Sequence, residues 1–244
     1  MEKSRLIDIL EAYVPLETAE EWDNSGWQIK SENDNIAKIM LCVSVTDNVV
    51  AQAVEQNVDL IVAHHPMIMP SIKNITDQKF FELIKNDIQV YSMHTNFDKA
   101  KNGTTDSLAA LLDLKEKEKL NDFLNIYELK EAKTIDDLIL KIKISLNIDK
   151  LKVINYAAFK GIKIVAVCAG SGGSFIAELN SHKIDLYITS DVKYHDALEA
   201  GDYVVADVGH LESEKPALQI LKVLLEKEDT EIIVANEKNV WNYI

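Results

Sequence analysis

The 244-residue sequence has few cysteines and too few basic residues to balance its acidic ones. Its two cysteines, Cys42 and Cys168, each lie in an apolar run and form no CxxC pair. This excludes a thiolate metal site and a disulfide framework and predicts two buried core thiols. Lys and Arg total 26 against 40 Asp and Glu, a formal charge of −14, so the chain lacks the basic surface of a sequence-independent nucleic-acid binder. The same charge disfavours an anionic substrate unless a local cation reverses the field.

The sequence also lacks any long hydrophobic run. No apolar stretch approaches the roughly 18 residues of a membrane span, and the segment from Met1 to Leu6 has no apolar signal region. We therefore expect a cytoplasmic protein with no membrane partner. With 47% hydrophobic and 27% charged residues the composition is that of a globular protein, and the length allows one large domain or two lobes.

Apolar runs of strand length alternate with segments of helical periodicity. This pattern is typical of an α/β fold with largely parallel strand pairing. Thr76 and Thr134 are predicted helix N-caps, and Phe80, Phe81 and Ile84 are expected to face the core. The predicted elements are helices over 4–14, 48–56, 105–113, 135–146 and 218–225, a helix after Thr76, and strands over 38–45, 58–63, 88–93, 151–154 and 162–168.

The strongest break in composition is the charge run from Lys115 to Lys119, which alternates Lys and Glu. It predicts a solvated helix end or a linker. We place the boundary between two lobes here, so that residues 1–118 form a first α/β lobe and residues 119–244 a second. The last strand and helix of the chain can pack back on the first lobe.

The second half of the sequence repeats the first. In each half a strand, a helix and a strand starting with Asp follow one another at nearly the same spacing, and the next strand precedes a histidine with a carboxylate four residues later. A generic β-α-β repeat explains the strands but not the matched His-x-x-x-acid pattern. The aligned segments are Lys38–Cys42 with Lys163–Cys168, Asp59 with Asp185, and His94–Asp98 with His210–Glu214.

Five of the six histidines lie at or just after predicted strand ends, where open α/β sheets form their sites. Adjacent His64 and His65 should leave an extended segment toward opposite sides and so serve two different metal ions. Asp98 and Glu214 are hard carboxylates able to bridge such ions. A His, Asp and Glu set without cysteine suits Zn, Fe or Mn, whereas a single strand-end histidine is more often a hydrogen-bonded structural residue. The five histidines are His64, His65, His94, His195 and His210.

Several motifs resemble those of the Nif-three-like family of dinuclear-metal proteins, whose members are often labelled GTP cyclohydrolase I type 2-like. They span nearly the whole chain in family order. They are Trp22-Asp23-Asn24-Ser25-Gly26, Leu60-Ile61-Val62-Ala63-His64-His65-Pro66, His94-Thr95-Asn96-Phe97-Asp98, Thr189-Ser190-Asp191-Val192-Lys193-Tyr194-His195-Asp196 and Gly209-His210-Leu211-Glu212-Ser213-Glu214.

This resemblance implies two interlinked, similar α/β lobes with two divalent metal ions between them, and a ring-shaped homohexamer. The chain lacks the inserted domain of longer members, and its segment from Val234 to Asn239 does not match the usual family ending. The metal ligands implied by the resemblance are His64, His65, Asp98, His210 and Glu214.

The family label further implies a hydrolase that opens the guanine imidazole ring of GTP, or of another nucleotide, and releases formate. Two metals can supply hydroxide from bound water and offset triphosphate charge. The same centre would suit a phosphatase or phosphodiesterase, because it specifies metal-activated water and not the substrate. A third reading is a non-catalytic metal-binding or protein-interaction scaffold.

Two further segments have alternative interpretations. We interpret His195 as a catalytic general acid or base and Lys193 as a phosphate contact, at a strand end equivalent to that of His64 and His65. The alternative is a helix-start histidine hydrogen-bonded to Asp191 or Asp196. The glycine-rich segment Gly170–Ser174 either cradles a phosphate with backbone N–H groups or is a bare tight turn.

Overall fold

The computed structural model describes residues 1–156 and 161–241, and it divides the chain into two units. The first unit contains Met1–Ala100 together with residues 218–241, and the second contains Lys101–Ala217. Residues 101–118, which the sequence prediction assigned to the first lobe, therefore belong to the second unit. The end of the predicted second lobe, residues 242–244, lies outside the described residues.

Helices and strands alternate along most of the chain. In chain order they are α1 (Lys3–Tyr13), β1 (Gly26–Ile29), β2 (Lys38–Cys42), α2 (Asp47–Glu55), β3 (Leu60–Ala63), α3 (Gln78–Lys85), β4 (Gln89–Ser92), α4 (Thr95–Lys99), α5 (Thr104–Leu111), β5 (Lys115–Lys119), β6 (Asn125–Lys133), α6 (Ile135–Leu146), β7 (Lys152–Ile154), β8 (Ile162–Val167), α7 (Ile176–Leu179), β9 (Leu186–Thr189), α8 (Tyr194–Leu198), β10 (Val204–Asp207), α9 (His210–Glu214), α10 (Ala217–Leu225) and β11 (Glu231–Val234).

The first unit is built on one five-stranded sheet in the order β1-β4-β3-β2-β11. Strands β4, β3, β2 and β11 are parallel, and β1 pairs with β4 in the antiparallel direction. The middle strands β2 and β3 are almost entirely buried, as expected for parallel strands covered on both faces. Apolar residues of α2 and α3, including Val49 and Leu83, pack on this sheet in one buried cluster.

The second unit is built on a six-stranded mixed sheet in the order β5-β6-β8-β9-β10-β7. Strands β8, β9 and β10 are parallel, whereas β5, β6 and β7 join in antiparallel pairs. Helices α5 and α6 bury Leu108, Leu138 and Ile142 against β8 and its neighbours in one apolar cluster. This packing is the physical reason why residues 101–118 belong with the second unit.

The α/β class is confirmed, although pairing in the second sheet is mixed rather than largely parallel. The charge run Lys115–Lys119 is not a helix end or a linker but the edge strand β5. All five of its side chains are exposed, so the strand has no apolar face, and only its pairing with β6 defines it. A charged edge also resists pairing with other chains.

The N-caps of helices α3 and α6 and the burial of residues on α3 also test the sequence predictions. Thr134 caps α6 as predicted, accepting a hydrogen bond from the Asp137 N–H. Helix α3 is capped by Asp77 and not by Thr76, so it begins one residue later than the Thr76 cap predicts. Phe80 is buried as expected, but Phe81 and Ile84 are exposed.

None of the helices in the described residues is both long enough and apolar enough to cross a membrane.

Candidate metal centre

Three imidazoles come together in the first unit, at the carboxyl end of its parallel strands. His64 and His65 directly follow β3, and their N–H groups donate to the carbonyl oxygens of Cys42 and Val43. His94 lies just after β4. One ring nitrogen from each of the three histidines lies within 4.8 Å of the others, which is close enough for the group to hold a metal ion.

A hydrogen bond orients each of these rings through its Nδ1 atom. His64 Nδ1 is 2.8 Å from the Met93 carbonyl oxygen, and His65 Nδ1 is 2.8 Å from Ser44 Oγ. His94 Nδ1 is 2.8 Å from Asp23 Oδ1. A carbonyl or carboxylate oxygen accepts the proton of Nδ1, so Nε2 holds the lone pair that a metal would use. Metal-ligating histidines in proteins are oriented in this way.

Asp23 is a buried, ionised partner of His94. Its side chain also accepts hydrogen bonds from Ser25 Oγ and from the N–H and hydroxyl of Thr95. Burial alone would raise the pKa of the Asp23 carboxyl, but the hydrogen bonds from His94, Thr95 and Ser25 outweigh it and hold that pKa well below its usual range. The carboxylate therefore fixes both the ring of His94 and the start of α4.

Asp98 adds an oxygen donor to the first unit. It lies on α4, and its Oδ1 atom is 3.5 Å from His64 Nε2. Nitrogen and carboxylate donors at this spacing suit Zn, Fe or Mn, so the residues present fit a metal ion. The expected divergence of the two adjacent histidines is wrong: β3 ends at Ala63, strand alternation does not extend to His64 and His65, and their ring centroids are 4.9 Å apart.

The second unit supplies two donors on α9. His210 Nε2 is 3.0 Å from Glu214 Oε1, and His210 Nδ1 is 2.7 Å from Asp191 Oδ2. Burial lowers the pKa of His210, but the hydrogen bonds and charges of Glu214 and Asp191 outweigh burial and raise it to about 9. In the absence of a metal a proton stabilises this acidic pair, and a cation would take the proton's place.

Gly170 makes room for the Glu214 carboxylate. A Cβ atom built on Gly170 would lie 2.3 Å from Glu214 Oε1, and the residue has a φ of +68° that side chains rarely adopt. Gly172 packs as closely against Thr189 and the Tyr187 hydroxyl. Packing thus accounts for two of the three glycines in Gly170–Ser174 and favours the tight-turn interpretation.

Lys193 and His195 do not lie at the strand end equivalent to that of His64 and His65, where the sequence analysis predicts them. The strand β9 ends at Thr189, so the positions equivalent to His64 and His65 are Ser190 and Asp191. Lys193 is the N-cap residue of α8, and His195 lies in the first turn of that helix. Both side chains are exposed, and the His195 ring contacts Tyr194 at a centroid distance of 5.6 Å.

Sequence reasoning missed the residues that orient the histidines. Asp23 lies in the Trp22–Gly26 motif, but nothing in the sequence pairs it with His94. The sequence suggests Asp191 as a partner of His195, whereas its carboxylate contacts His210. Ser44 gave no signal, because a serine after a strand is common. The useful clue would have been that each strand-end histidine needs an acceptor for its second ring nitrogen.

The fold and the donor groups define an α/β protein with histidine and carboxylate donors at the ends of parallel strands. The family model Duf34/NIF3 (NGG1p interacting factor 3) matches residues 1–240, and the chain belongs to this family. It is 33% identical to the GTP cyclohydrolase 1 type 2 homolog of Clostridium perfringens (strain 13 / Type A), in an alignment that covers both chains fully. It is 32% identical to the GTP cyclohydrolase 1 type 2 of Helicobacter pylori (strain J99), over 96% of each chain.

Solved structures share this fold. A hypothetical protein of Staphylococcus aureus superposes with a TM-score of 0.90, at 23% identity and over 100% of this chain and 99% of that one, which shows the fold. Reduced HcgD from Methanocaldococcus jannaschii superposes with a TM-score of 0.85, at 28% identity and over 97% and 98% of the two chains.

Proposed function

We propose that this protein is a metal-dependent hydrolase with a dinuclear centre, acting on a nucleotide in the manner of GTP cyclohydrolase 1 type 2. The observation that most supports it is the shared orientation of the imidazoles of the three proposed histidine ligands. A carbonyl or carboxylate oxygen lies at hydrogen-bond distance from Nδ1 of His64 and of His210, and the Ser44 hydroxyl from Nδ1 of His65, so that Nε2 is the atom oriented to ligate a metal ion.

The proposed ligands are His64, His65 and Asp98 from the first unit and His210 and Glu214 from the second. Five donors exceed the three or four protein ligands of a single tetrahedral site, so we propose two ions, of Zn, Fe or Mn. When bound by these residues, such ions would supply hydroxide from water near neutral pH and would offset the negative charge that otherwise repels a nucleotide.

Groups of the chain itself orient the proposed ligands, and two exposed side chains are proposed to act on the substrate. Asp191 holds the His210 ring, and the Met93 carbonyl holds that of His64. We propose that the His195 imidazole donates or accepts a proton on the substrate and that the Lys193 ammonium contacts a substrate phosphate. Their exposure on α8 leaves both accessible to a ligand from solvent.

The deciding experiment is an assay of metal-loaded protein with GTP that reads formate and inorganic phosphate separately. Formate supports the cyclohydrolase, whereas phosphate supports a phosphatase or phosphodiesterase. Neither product, with full metal content, would overturn the hydrolase and leave a metal-binding scaffold. The His64→Ala variant should lose activity, and His182→Ala, which changes a histidine outside the proposed ligands and catalytic residues, serves as the matched control.

We also propose a homohexamer, on the family resemblance, and a cytoplasmic location, on the lack of long apolar runs in the sequence. Light scattering of the purified protein should give a mass near six times 27.5 kDa. A monomer or dimer at micromolar concentration would contradict the hexamer.

A further inference from the structure

Glu237 lies far from His64 and His65 in sequence, yet its carboxylate reaches the end of β2, the strand that pairs with β3 just before these two histidines. After β11 the chain continues alongside β2, with the Ala235 N–H donating to the Leu41 carbonyl. The nearly buried Glu237 side chain then accepts hydrogen bonds from the N–H groups of Val43 at 2.7 Å and Ser44 at 2.8 Å.

Val43 and Ser44 hold His65 at two points. The Val43 carbonyl oxygen accepts a hydrogen bond from the His65 N–H at 2.8 Å, and Ser44 Oγ lies 2.8 Å from His65 Nδ1. The first contact fixes the backbone of the histidine and the second fixes its ring. A carboxylate that binds both N–H groups of the Val43–Ser44 pair therefore restrains both contacts.

The second unit shows that a carboxylate is not needed simply to satisfy these N–H groups. The equivalent residues there are Ala169 and Gly170, as the matching registers of β2 with β3 and of β8 with β9 define. Their N–H groups donate to two neutral hydroxyls, those of Thr105 at 3.2 Å and Ser213 at 2.9 Å. Of these two strand ends, the one with the bidentate carboxylate is the end of β2, where Ser44 contacts the predicted metal ligand His65.

We infer that Glu237 is a positioning residue for the metal site: through Val43 and Ser44 it fixes the orientation in which His65 ligates a metal ion. The inference rests on the proposed metal centre and adds to it a residue from a segment that does not match the usual family ending. Outer partners of metal ligands typically affect metal affinity by about 10- to 100-fold, and Glu237 acts one contact further out.

The test is the Zn²⁺ affinity of the Glu237→Gln protein, measured by competition with a chromogenic chelator. An amide keeps the size of the side chain but places an N–H donor against a backbone N–H. We expect the affinity to fall by about 10-fold. The visible spectrum of the Co²⁺-substituted protein should also change, because a reoriented imidazole alters the ligand field. If Glu237→Gln does not fold, Glu237→Asp, which retains the carboxylate but is shorter, is measured in the same way and should also bind more weakly.

Asp59→Asn is the matched control at the opposite end of the same strand. The Asp59 carboxylate also accepts two backbone hydrogen bonds, from the N–H groups of Ala37 and Lys38, each at 2.8 Å. Its loss should lower the melting temperature without changing Zn²⁺ affinity or the Co²⁺ spectrum. An equal loss of affinity in both variants would show a merely structural role and overturn the inference.

A double-mutant cycle tests the route through Ser44. Ser44→Ala alone should weaken Zn²⁺ binding, and Glu237→Gln should weaken it less in that background than in the unmodified protein, because part of its effect passes through the missing hydroxyl. Additive effects would overturn that route. Unmodified protein that binds no Zn²⁺ would overturn the metal centre as well, whereas normal binding by Glu237→Gln would overturn the positioning role alone.

Discussion

The two units share a strand frame but place their histidine and carboxylate donors at different points on it. In the first, β2 pairs with β3 and β3 with β4, all parallel, and in the second β8, β9 and β10 repeat this arrangement. Asp59 accepts hydrogen bonds from two N–H groups at the start of β2, and Asp185 does the same for β8. The frame therefore repeats down to individual hydrogen bonds.

The donors do not repeat in the same way. At the positions of His64 and His65 the second unit has Ser190 and Asp191. The Asp191 carboxylate orients the imidazole of His210. The alignment of His94 with His210 that the sequence predicts is wrong by one residue. Met93 and Val208 make the equivalent hydrogen bonds to the preceding strand, so His94 corresponds to Gly209. A repeated backbone thus predicts where donors lie but not which side chains provide them.

The largest effect on this comparison should come from replacing one carboxylate in each unit. Asp98→Asn and Glu214→Gln should each reduce metal affinity by more than about 100-fold, which is the most that loss of a residue hydrogen-bonded to a metal ligand typically costs. The reason is that a neutral amide is a poor bridge between cations. Elemental analysis after metal loading and dialysis measures the content, and two ions per chain are expected in the unmodified protein.

Cys42→Ser and Cys168→Ser are the matched controls, since the two cysteines occupy equivalent positions and both are buried. Both variants should retain their metal and lose only stability. One ion per chain at saturation in the unmodified protein would contradict the dinuclear centre.

The next largest effect concerns α8, which follows the second-unit equivalent of the His64–His65 segment. His195→Ala should keep its metal but lower turnover by about 100-fold, the usual scale for a lost general acid or base. Lys193→Ala should raise KM for a phosphate-bearing substrate with less effect on kcat, as expected when mainly uniform binding is removed. Loss of metal in His195→Ala would make it a ligand, and unchanged turnover would make it structural.

The two aspartates that orient histidines offer a finer test. Asp191 holds the proposed ligand His210, whereas Asp23 holds His94, which is not among the five proposed ligands. Asp191→Asn should therefore weaken metal binding by about 10- to 100-fold, and Asp23→Asn should weaken it less. Calorimetric titration with Zn²⁺ measures both. Equal losses would place His94 in the ligand set.

The smallest expected effect is on the pH dependence of stability in metal-free protein. The folded pKa of His210 is raised to about 9, above the roughly 6.5 of an unfolded histidine, so its stabilising contribution is complete below pH 6.5 and disappears as the pH rises toward 9. After chelation, melting temperatures should fall over this range, and less steeply in His210→Gln. Identical slopes for the two proteins would exclude this contribution.

Strong local patterns made part of this structure predictable. The apolar strands Lys38–Cys42 and Leu60–Ala63 and the capped helix Ile135–Leu146 have clear periodicity, and histidines at strand ends are visible without any contact information. Strand β5 was missed because its residues alternate in charge and not in polarity, so no face is apolar. The roles of Asp23 and Glu237 could not be predicted, since each depends on a partner about 70 or more residues away in sequence.

The second unit is inserted within the sequence of the first, so the strands of the first sheet are not all synthesised before the second unit is. Strand β2 leaves the ribosome early, but its parallel neighbour β11 follows only after residues 101–217 have been made. Until then one edge of the first sheet is unpaired and open to association with other chains. The second unit is contiguous and can finish folding first. The contact between Glu237 and the end of β2 then forms among the last, so competence to bind metal through His65 would mark a chain whose first sheet is closed.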